Sequence, residues 1–148
     1  PETYRELANH PNIVATKEAS GDLSLVAKIR YMCGDDLAVY SGNDDQTVPI
    51  MSLGGLGVIS VLSNFAPGVM HEICAAYLSG DTERAKKLQI RHIGLMNALF
   101  SDVNPIPVKE AMNMLGLEAG PCRLPLVPMS DTARAALKRE LEKCGFLK

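Results

Sequence analysis

The chain has 148 residues, of which 47% are hydrophobic, and it carries a formal net charge of −2 at pH 7. This composition is typical of a globular domain, and the charges are spread along the chain without the basic stripe that marks a nucleic-acid partner. No apolar run approaches the roughly 20 residues of a membrane span. We therefore expect neither a nucleic acid nor a membrane as a partner.

Helices and strands alternate over the first half of the chain. Short apolar runs bounded by turn residues predict strands, and apolar residues that recur every three or four positions predict helices. Asp22 is the predicted N-cap of the second helix. In chain order we expect a helix over 1–8, a strand over 13–16, a helix that starts at 23 and is ended by Gly34, a strand over 37–40, a helix over 46–53, a strand over 58–61 and a helix over 67–78.

The rest of the chain, from Asp81 onward, is predicted to be helical. Residues 82–100, residues 106–115 and a final segment capped by Ser130 show helical patterns, and a Pro-rich connector over 120–128 precedes the last of them. The apolar face predicted for the first of these helices comprises Ala85, Leu88, Ile93, Met96 and Leu99.

The cysteines and histidines are too scattered to indicate a metal site or a disulfide framework. We expect free, buried thiols in a reducing cytosol, and histidines at the surface or at helix ends. The residues concerned are Cys33, Cys74, Cys122, Cys144, His10, His71 and His92.

Strands that alternate with helices predict βαβ units and a parallel sheet. Parallel sheets are normally covered on both faces, and three parallel strands alone leave two open edges. We therefore expect this chain to be part of a larger α/β fold, with an upstream half outside the sequence.

Lys17 stands where the first predicted strand ends, in the stretch NIVATKEASGD. Side chains alternate between the faces of a strand, so Ala15 and Lys17 point one way and Glu18 the other. Glu18 is therefore not the natural ion-pair partner of Lys17. The carboxyl ends of barrel strands carry catalytic residues, and a neutral lysine amine there attacks carbonyl groups to form a Schiff base. The alternative is a lysine whose charged end reaches water from the end of the strand.

Two further segments contain candidate ligand-binding features. In the loop SGNDD, residues 41–45, the glycine allows close approach of a ligand and the carboxylates are able to bind a hydroxyl or a cation. The alternative, which we favour for Asp44 and Asp45, is a plain loop whose Asn43, Asp44 or Asp45 caps the next helix. The GGLG segment, residues 54–57, precedes a strand rather than a helix, so it predicts a tight turn instead of a phosphate site.

Five segments together resemble the dihydrodipicolinate synthase family of pyruvate-dependent class I aldolases. The resemblance covers the whole chain but only the C-terminal half of the enzyme. It implies an α/β fold: the C-terminal part of a (β/α)8 TIM barrel over residues 1–80, with three βα units that contain strands six to eight, and a C-terminal helical domain over 81–148. The segments are KEASGD at 17–22, SGNDD at 41–45, GGLGVISVLSN at 54–64, NPIPVKEAMNMLGL at 104–117 and RLPLVP at 123–128.

The resemblance also implies roles for individual residues. Lys17 is then the Schiff-base lysine that binds pyruvate, and Gly42 and Ile59 line the pyruvate pocket with their backbones. The implied reaction is the condensation of pyruvate with aspartate 4-semialdehyde to 4-hydroxy-tetrahydrodipicolinate, a lyase step in lysine and diaminopimelate biosynthesis that needs no cofactor. The family's carboxylate-binding threonines, catalytic tyrosine and substrate-binding arginine fall outside this sequence, so we expect the chain alone to be inactive.

The resemblance leaves two alternatives open. Another pyruvate-dependent aldolase, such as N-acetylneuraminate lyase or a keto-deoxy-sugar aldolase, would use the SGNDD loop to bind hydroxyl groups. A non-catalytic fragment or binding module would use Lys17 only structurally. The family further implies that the chain works with the N-terminal half of the same barrel, in a homotetramer and in the cytoplasm.

Overall fold

The structure, a computed structural model, describes residues 1–148 as three parallel strands and seven α-helices. Two 3₁₀ segments, Asp44–Gln46 and Leu62–Asn64, follow the second and third strands. In chain order the elements are α1 (Glu2–Ala8), β1 (Ala15–Glu18), α2 (Leu23–Cys33), β2 (Ala38–Ser41), α3 (Thr47–Ser52), β3 (Gly57–Val58), α4 (Pro67–Leu78), α5 (Thr82–Ala98), α6 (Ile106–Met114) and α7 (Asp131–Lys143).

The predicted parallel sheet is confirmed, with the strand order β1-β2-β3. In its register Lys17 lies opposite Tyr40, and Tyr40 lies opposite Gly57. Because each crossover between neighbouring strands contains a helix, all three strands run in the same direction and their carboxyl ends meet at one edge.

The bounds of two strands differ from those that the apolar runs predict. β1 occupies Ala15–Glu18 rather than 13–16, because the backbone N–H of Ile13 donates to His10 in the preceding turn at 2.9 Å. Lys17 therefore lies inside the strand rather than after it. β3 ends at Val58 rather than 61, since the chain then turns into a 3₁₀ segment.

Polar residues fix the starts of α2 and α7, as the sequence predicts. The Asp22 carboxylate accepts hydrogen bonds from the backbone N–H groups of Ser24 and Leu25 at 2.8 and 3.2 Å, which confirms it as the N-cap of α2. The Ser130 hydroxyl likewise accepts from Ala133 at 3.2 Å at the start of α7. Such caps satisfy N–H groups that a helix leaves unpaired, and each stabilises its helix by about 1 kcal/mol.

Two apolar clusters hold the helices in place. One lies on a face of the sheet, and the other lies beyond the sheet among the later helices. Neither includes Ala15, Lys17 or Ile59. The smaller cluster lies between α2 and the sheet and comprises Val26, Ile29, Cys33, Leu37, Val39 and Ile50. The larger joins the chain after β3 and α4 to α5, α6 and α7, and it comprises Leu62, Ala66, Met70, Ile73, Leu95, Met96, Leu99, Ile106, Val108, Ala111, Met129, Leu137 and Leu141.

The buried face of α5 is only partly as predicted. Ile93 is 36% exposed, because it falls at the edge of the stripe that packs on the neighbouring helices, whereas Leu95 is fully buried. Two polar residues, Gln89 and His92, are buried in the same stripe. The expectation that His92 lies at the surface or at a helix end is therefore wrong: its Nδ1 lies 2.8 Å from the Leu88 carbonyl oxygen in the middle of α5. None of the helices has both the length and the apolar character to cross a bilayer.

Candidate active site

The three residues singled out from the sequence lie at one edge of the sheet. Lys17 is the third residue of β1, while Gly42 directly follows β2 and Ile59 directly follows β3. The ladder continues past the strands, because the N–H of Gly42 donates to Glu18 at 2.7 Å and that of Ile59 to Ser41 at 2.8 Å. The structure therefore brings Lys17, Gly42 and Ile59 together on three neighbouring strands.

The side chain of Lys17 lies against the backbone of Gly42. A Cβ atom added at Gly42 would lie 3.0 Å from Cε of Lys17 and 2.6 Å from Cβ of Ala19. The backbone of Gly42 needs no left-handed conformation, so glycine is required here for space. The absence of a side chain at this position leaves room for the lysine stem.

The two faces of β1 differ in exposure. The charged residue on the buried face is a glutamate, and the one on the open face is a lysine. Lys17 is exposed on a face that no other element of this chain covers, and Tyr40 is beside it in register. Glu18, on the other face, is only 4% exposed. The helices cover that second face, so they bury a carboxylate and leave the lysine open.

Glu18 is held by two hydrogen bonds, neither of which involves Lys17. The Tyr4 hydroxyl donates to its Oε2 and the backbone N–H of Ser20 donates to its Oε1, each at 2.7 Å. Burial alone would raise the pKa of Glu18, but the hydrogen bonds from Ser20 and Tyr4 outweigh burial and lower this pKa. The hydrogen bond to Glu18, together with burial, raises the pKa of Tyr4. This contact joins α1 to the end of β1 that carries Lys17.

Asp44 does not act as the helix cap that we expected. It is fully buried, and its Oδ2 accepts hydrogen bonds from the backbone N–H groups of Val61 and Leu62, at 3.1 and 2.8 Å, in the loop after β3. Its Oδ1 has no partner. Burial raises the pKa of Asp44, and the hydrogen bonds that it accepts offset this only in part. Asp45, the next residue, is exposed.

The remaining motif has a structural role. The GGLG segment is the predicted tight turn before β3, in which Gly54 has a φ of +89°. A Cβ added at Gly55 would lie 2.7 Å from a methyl carbon of Ile50, so close packing against α3 also requires a glycine. No group of three histidine, cysteine or acidic residues is placed to hold a metal ion.

Sequence reasoning missed three contributors to this edge. Tyr4 and Gln89 bind residues 14 and 45 positions away in the sequence, and Tyr40 neighbours Lys17 only through the strand register. No local pattern predicts such contacts. The only available signal was the alternation of side chains along a strand, which places Tyr40 and the preceding Val39 on opposite faces.

Lys17 lies at the carboxyl end of a parallel α/β strand, which is the position where α/β-barrel enzymes carry their active sites. The sequence model of the dihydrodipicolinate synthetase family matches residues 1–144. The chain therefore belongs to this family. It folds as the C-terminal part of a TIM barrel, with a small parallel sheet and mostly helical structure.

Individual relatives agree with the family match. The 4-hydroxy-tetrahydrodipicolinate synthase of Thermoanaerobacter sp. (strain X514) is 55% identical over 149 aligned residues, which cover 100% of this chain and 50% of that protein. The dihydrodipicolinate synthase structure from Thermotoga maritima has a TM-score of 0.95 and 41% identity, over 99% of this chain and 51% of that one.

A third relative is a chloride-inhibited dihydrodipicolinate synthase from Acinetobacter baumannii, solved in complex with pyruvate. It has a TM-score of 0.93 and 39% identity, over 99% of this chain and 50% of that one. The chain thus spans about half the length of the curated relatives and solved structures that it matches.

Replacement of Gly42 by alanine is expected to destabilise the protein by about 1–3 kcal/mol, because the new methyl group overlaps Ala19 and the Lys17 stem. Urea unfolding checks this. The matched control is Gly68→Ala in the first turn of α4, where no atom lies within 4 Å of an added Cβ. This control is expected to change the free energy of unfolding by no more than about 1 kcal/mol. Equal values for the two variants would contradict the packing described for Gly42.

Replacement of Tyr4 by phenylalanine is expected to cost about 1.5–3 kcal/mol at pH 7, because it removes a hydrogen bond to a buried carboxylate. The folded state lowers the pKa of Glu18 from its ordinary value of 4.5, so this stabilisation is present above that pH and is lost as the pH falls through the folded pKa. The difference between wild type and variant should therefore shrink at about pH 3.5.

Urea unfolding at the two pH values measures this difference. Tyr31→Phe is the control, since Tyr31 is 91% exposed and is expected to be neutral at both. A difference that stays constant with pH would mean that the ionised form of Glu18 is not what Tyr4 stabilises.

Proposed function

We propose that this chain supplies the nucleophile of a 4-hydroxy-tetrahydrodipicolinate synthase, which condenses pyruvate with aspartate 4-semialdehyde in lysine biosynthesis. The observation that carries the proposal is the position of Lys17 at the carboxyl edge of the sheet, with its stem against Gly42 and with Ile59 two strands away. The family match and the pyruvate complex of the Acinetobacter baumannii relative support it.

The proposed chemistry begins at the Lys17 amine. Its neutral Nζ attacks the C2 carbonyl of pyruvate, and loss of water leaves an iminium ion. Loss of a proton from the C3 methyl group gives an enamine, and C3 then forms a bond to the aldehyde carbon of aspartate 4-semialdehyde while the aldehyde oxygen takes up a proton. The amino group of the condensed product attacks the imine carbon, which closes the ring and releases Lys17.

Gly42 and Ile59 are proposed to shape the pyruvate pocket through their backbones. Their N–H groups are already bound to Glu18 and Ser41, so neither amide is free to donate to a substrate carboxylate. Their contribution must come from carbonyl oxygens and from the space that Gly42 leaves beside the lysine stem. The family resemblance places the donors for the carboxylate of pyruvate in the N-terminal half of the barrel.

The burial of Asp44 weighs against the polyol-binding aldolases. A loop that binds substrate hydroxyl groups has to present its carboxylates to the pocket. Asp44 is fully buried and bound to Val61 and Leu62, which leaves only Asp45 exposed. The condensation with an aldehyde requires no such carboxylate, so the geometry favours the synthase. The reading of the chain as a binding module has no specific observation in its favour.

The proposed partner of the sheet is the N-terminal half of the same barrel. β1 and β3 each have one open edge, and the face with Lys17 is uncovered. A closed barrel satisfies both edges and makes the interior apolar, which favours the neutral amine. The proposal also divides the chain into a partial barrel over 1–80 and a helical domain over 81–148. It further includes a homotetramer and a cytoplasmic location. The four cysteines are free, which fits a reducing compartment.

Lys17→Arg in the protein that contains the whole barrel is expected to abolish the pyruvate adduct that borohydride traps and to lower turnover by about 10³-fold or more, because arginine keeps the charge but provides no nucleophile. Peptide mass mapping locates the adduct. Lys28→Arg, at an exposed position of α2, is the control and should leave both measurements unchanged. An adduct that forms on another residue of the wild-type protein would sink the Schiff-base assignment.

The 148-residue chain alone is expected to show no synthase turnover. Its lysine face is open to water, and the backbone N–H groups of Gly42 and Ile59 are already bonded, so they do not bind the carboxylate of pyruvate. Coexpression with a polypeptide that carries the preceding five strands and the helices between them should restore turnover. The same coexpression with Lys17→Arg is the control for activity from the added polypeptide. Full turnover by the chain alone would refute the proposal.

A further inference from the structure

We propose that Asp44 and Gln89 are positioning residues that hold the segments after β2 and β3 at a fixed separation beside Lys17. The inference rests on the proposed function only in that it takes Lys17 as the nucleophile. It assigns no contact with substrate to either residue. Both act through the backbone to which they are bound.

The Asp44 side chain ties together the two loops that carry Gly42 and Ile59. Asp44 comes two residues after Gly42, and its Oδ2 binds Val61 and Leu62, which come two and three residues after Ile59. Hydrogen bonds are directional, so one carboxylate oxygen sets both the separation and the relative orientation of the loops.

Gln89 holds the first of these loops from the side of the helices. It is 5% exposed in the middle of α5, and its Nε2 donates to the backbone carbonyl of Asp44 at 2.9 Å. Its Oε1 accepts from the backbone N–H of Val48 at 3.3 Å, and the second hydrogen of Nε2 is directed at the sulfur of Met96. A buried amide is costly unless its groups are bound, so this fully bonded side chain strongly specifies one arrangement.

The two residues form one continuous bridge. It runs from α5 through Gln89 to the backbone of Asp44, and from the Asp44 carboxylate to Val61 and Leu62. Neither apolar cluster includes Gly42 or Ile59, although Leu62 belongs to the larger one and Val61 packs against it. Packing therefore anchors the loop after β3, and the directional bonds of Asp44 set its position relative to the loop that carries Gly42.

This arrangement predicts a kinetic effect from residues that substrate does not reach. A misplacement of about 1 Å in an active site lowers rates by up to about 100-fold. Loss of the bridge should therefore slow formation of the pyruvate imine and raise the KM for pyruvate. A purely structural role would lower the stability of the protein and leave the properties of the folded fraction unchanged.

The test compares Asp44→Ala, Asp44→Asn and Gln89→Leu with wild type in the protein that contains the whole barrel. The control is Asp81→Ala, which removes the cap of α5, the helix that carries Gln89, at a site far from the loops. The measurements are the rate of borohydride trapping of pyruvate on Lys17, the KM for pyruvate and the free energy of unfolding.

Asp44→Ala is expected to slow trapping by about tenfold or more, because Val61 and Leu62 lose their acceptor. Asp44→Asn keeps an oxygen acceptor of the same shape and should come within about threefold of wild type. Gln89→Leu should slow trapping by about threefold, and Asp81→Ala should lower stability without slowing trapping. The inference is overturned if Asp44→Ala traps as fast as Asp81→Ala, or if asparagine restores nothing.

Two further measurements keep the inference separable from folding and from the proposed function. If Asp44→Ala does not fold, an unchanged trapping rate in Gln89→Leu overturns the inference. If wild type forms no adduct on Lys17, the proposed function fails, and amide hydrogen exchange then decides the positioning role. Faster exchange at Val61 and Leu62 in Asp44→Ala or Gln89→Leu than in Asp81→Ala supports that role, and equal exchange overturns it.

Discussion

A parallel sheet needs cover on both faces, and this chain provides it on only one. The helices and their apolar clusters lie against the face that contains Glu18 and Val39, while Lys17 and Tyr40 lie on the other. This constraint explains the unusual distribution of charge along β1, in which the carboxylate is buried and the lysine is exposed. It also explains why the structure contains no salt bridge between them: adjacent residues of a strand cannot share a face.

The two buried carboxylates at the strand ends are stabilised in different ways. Glu18 accepts one hydrogen bond on each oxygen, and these bonds lower its pKa despite burial. In Asp44 burial prevails over the hydrogen bonds that it accepts, and its pKa is raised. The backbone donor to Glu18 is Ser20 in the loop that directly follows it, whereas those to Asp44 are Val61 and Leu62 in the loop after the neighbouring strand. A short acidic side chain therefore fixes the course of the chain just beyond a strand, where regular hydrogen bonding has ended.

The helices and the sheet were predictable because they depend on residues close together in the sequence. The features that the sequence did not predict depend on long-range contacts. Asp22 and Ser130 cap the helices that follow them because a cap needs only the next three residues. The role of Asp44 was mistaken for the same reason: its partners lie 17 and 18 residues away, and the nearer helix needed no cap from it. Gln89 and His92 interrupt the apolar stripe of α5 at positions where periodicity alone predicts apolar residues. The resemblance to the family named Lys17, Gly42 and Ile59, and the parallel direction of the strands explains why these three residues lie at one edge.

Position and reactivity of the lysine have separate physical origins in this fold. Its position is set within the chain, by the register of β1 with β2 and by the space above Gly42. The nucleophilic role proposed for it requires a neutral amine, which removal of water from the site favours. The surface that excludes water from Lys17 must therefore come from whatever covers this face of the sheet. Family membership rests on the sequence match over residues 1–144, whereas the proposed activity depends on a surface that this chain leaves open.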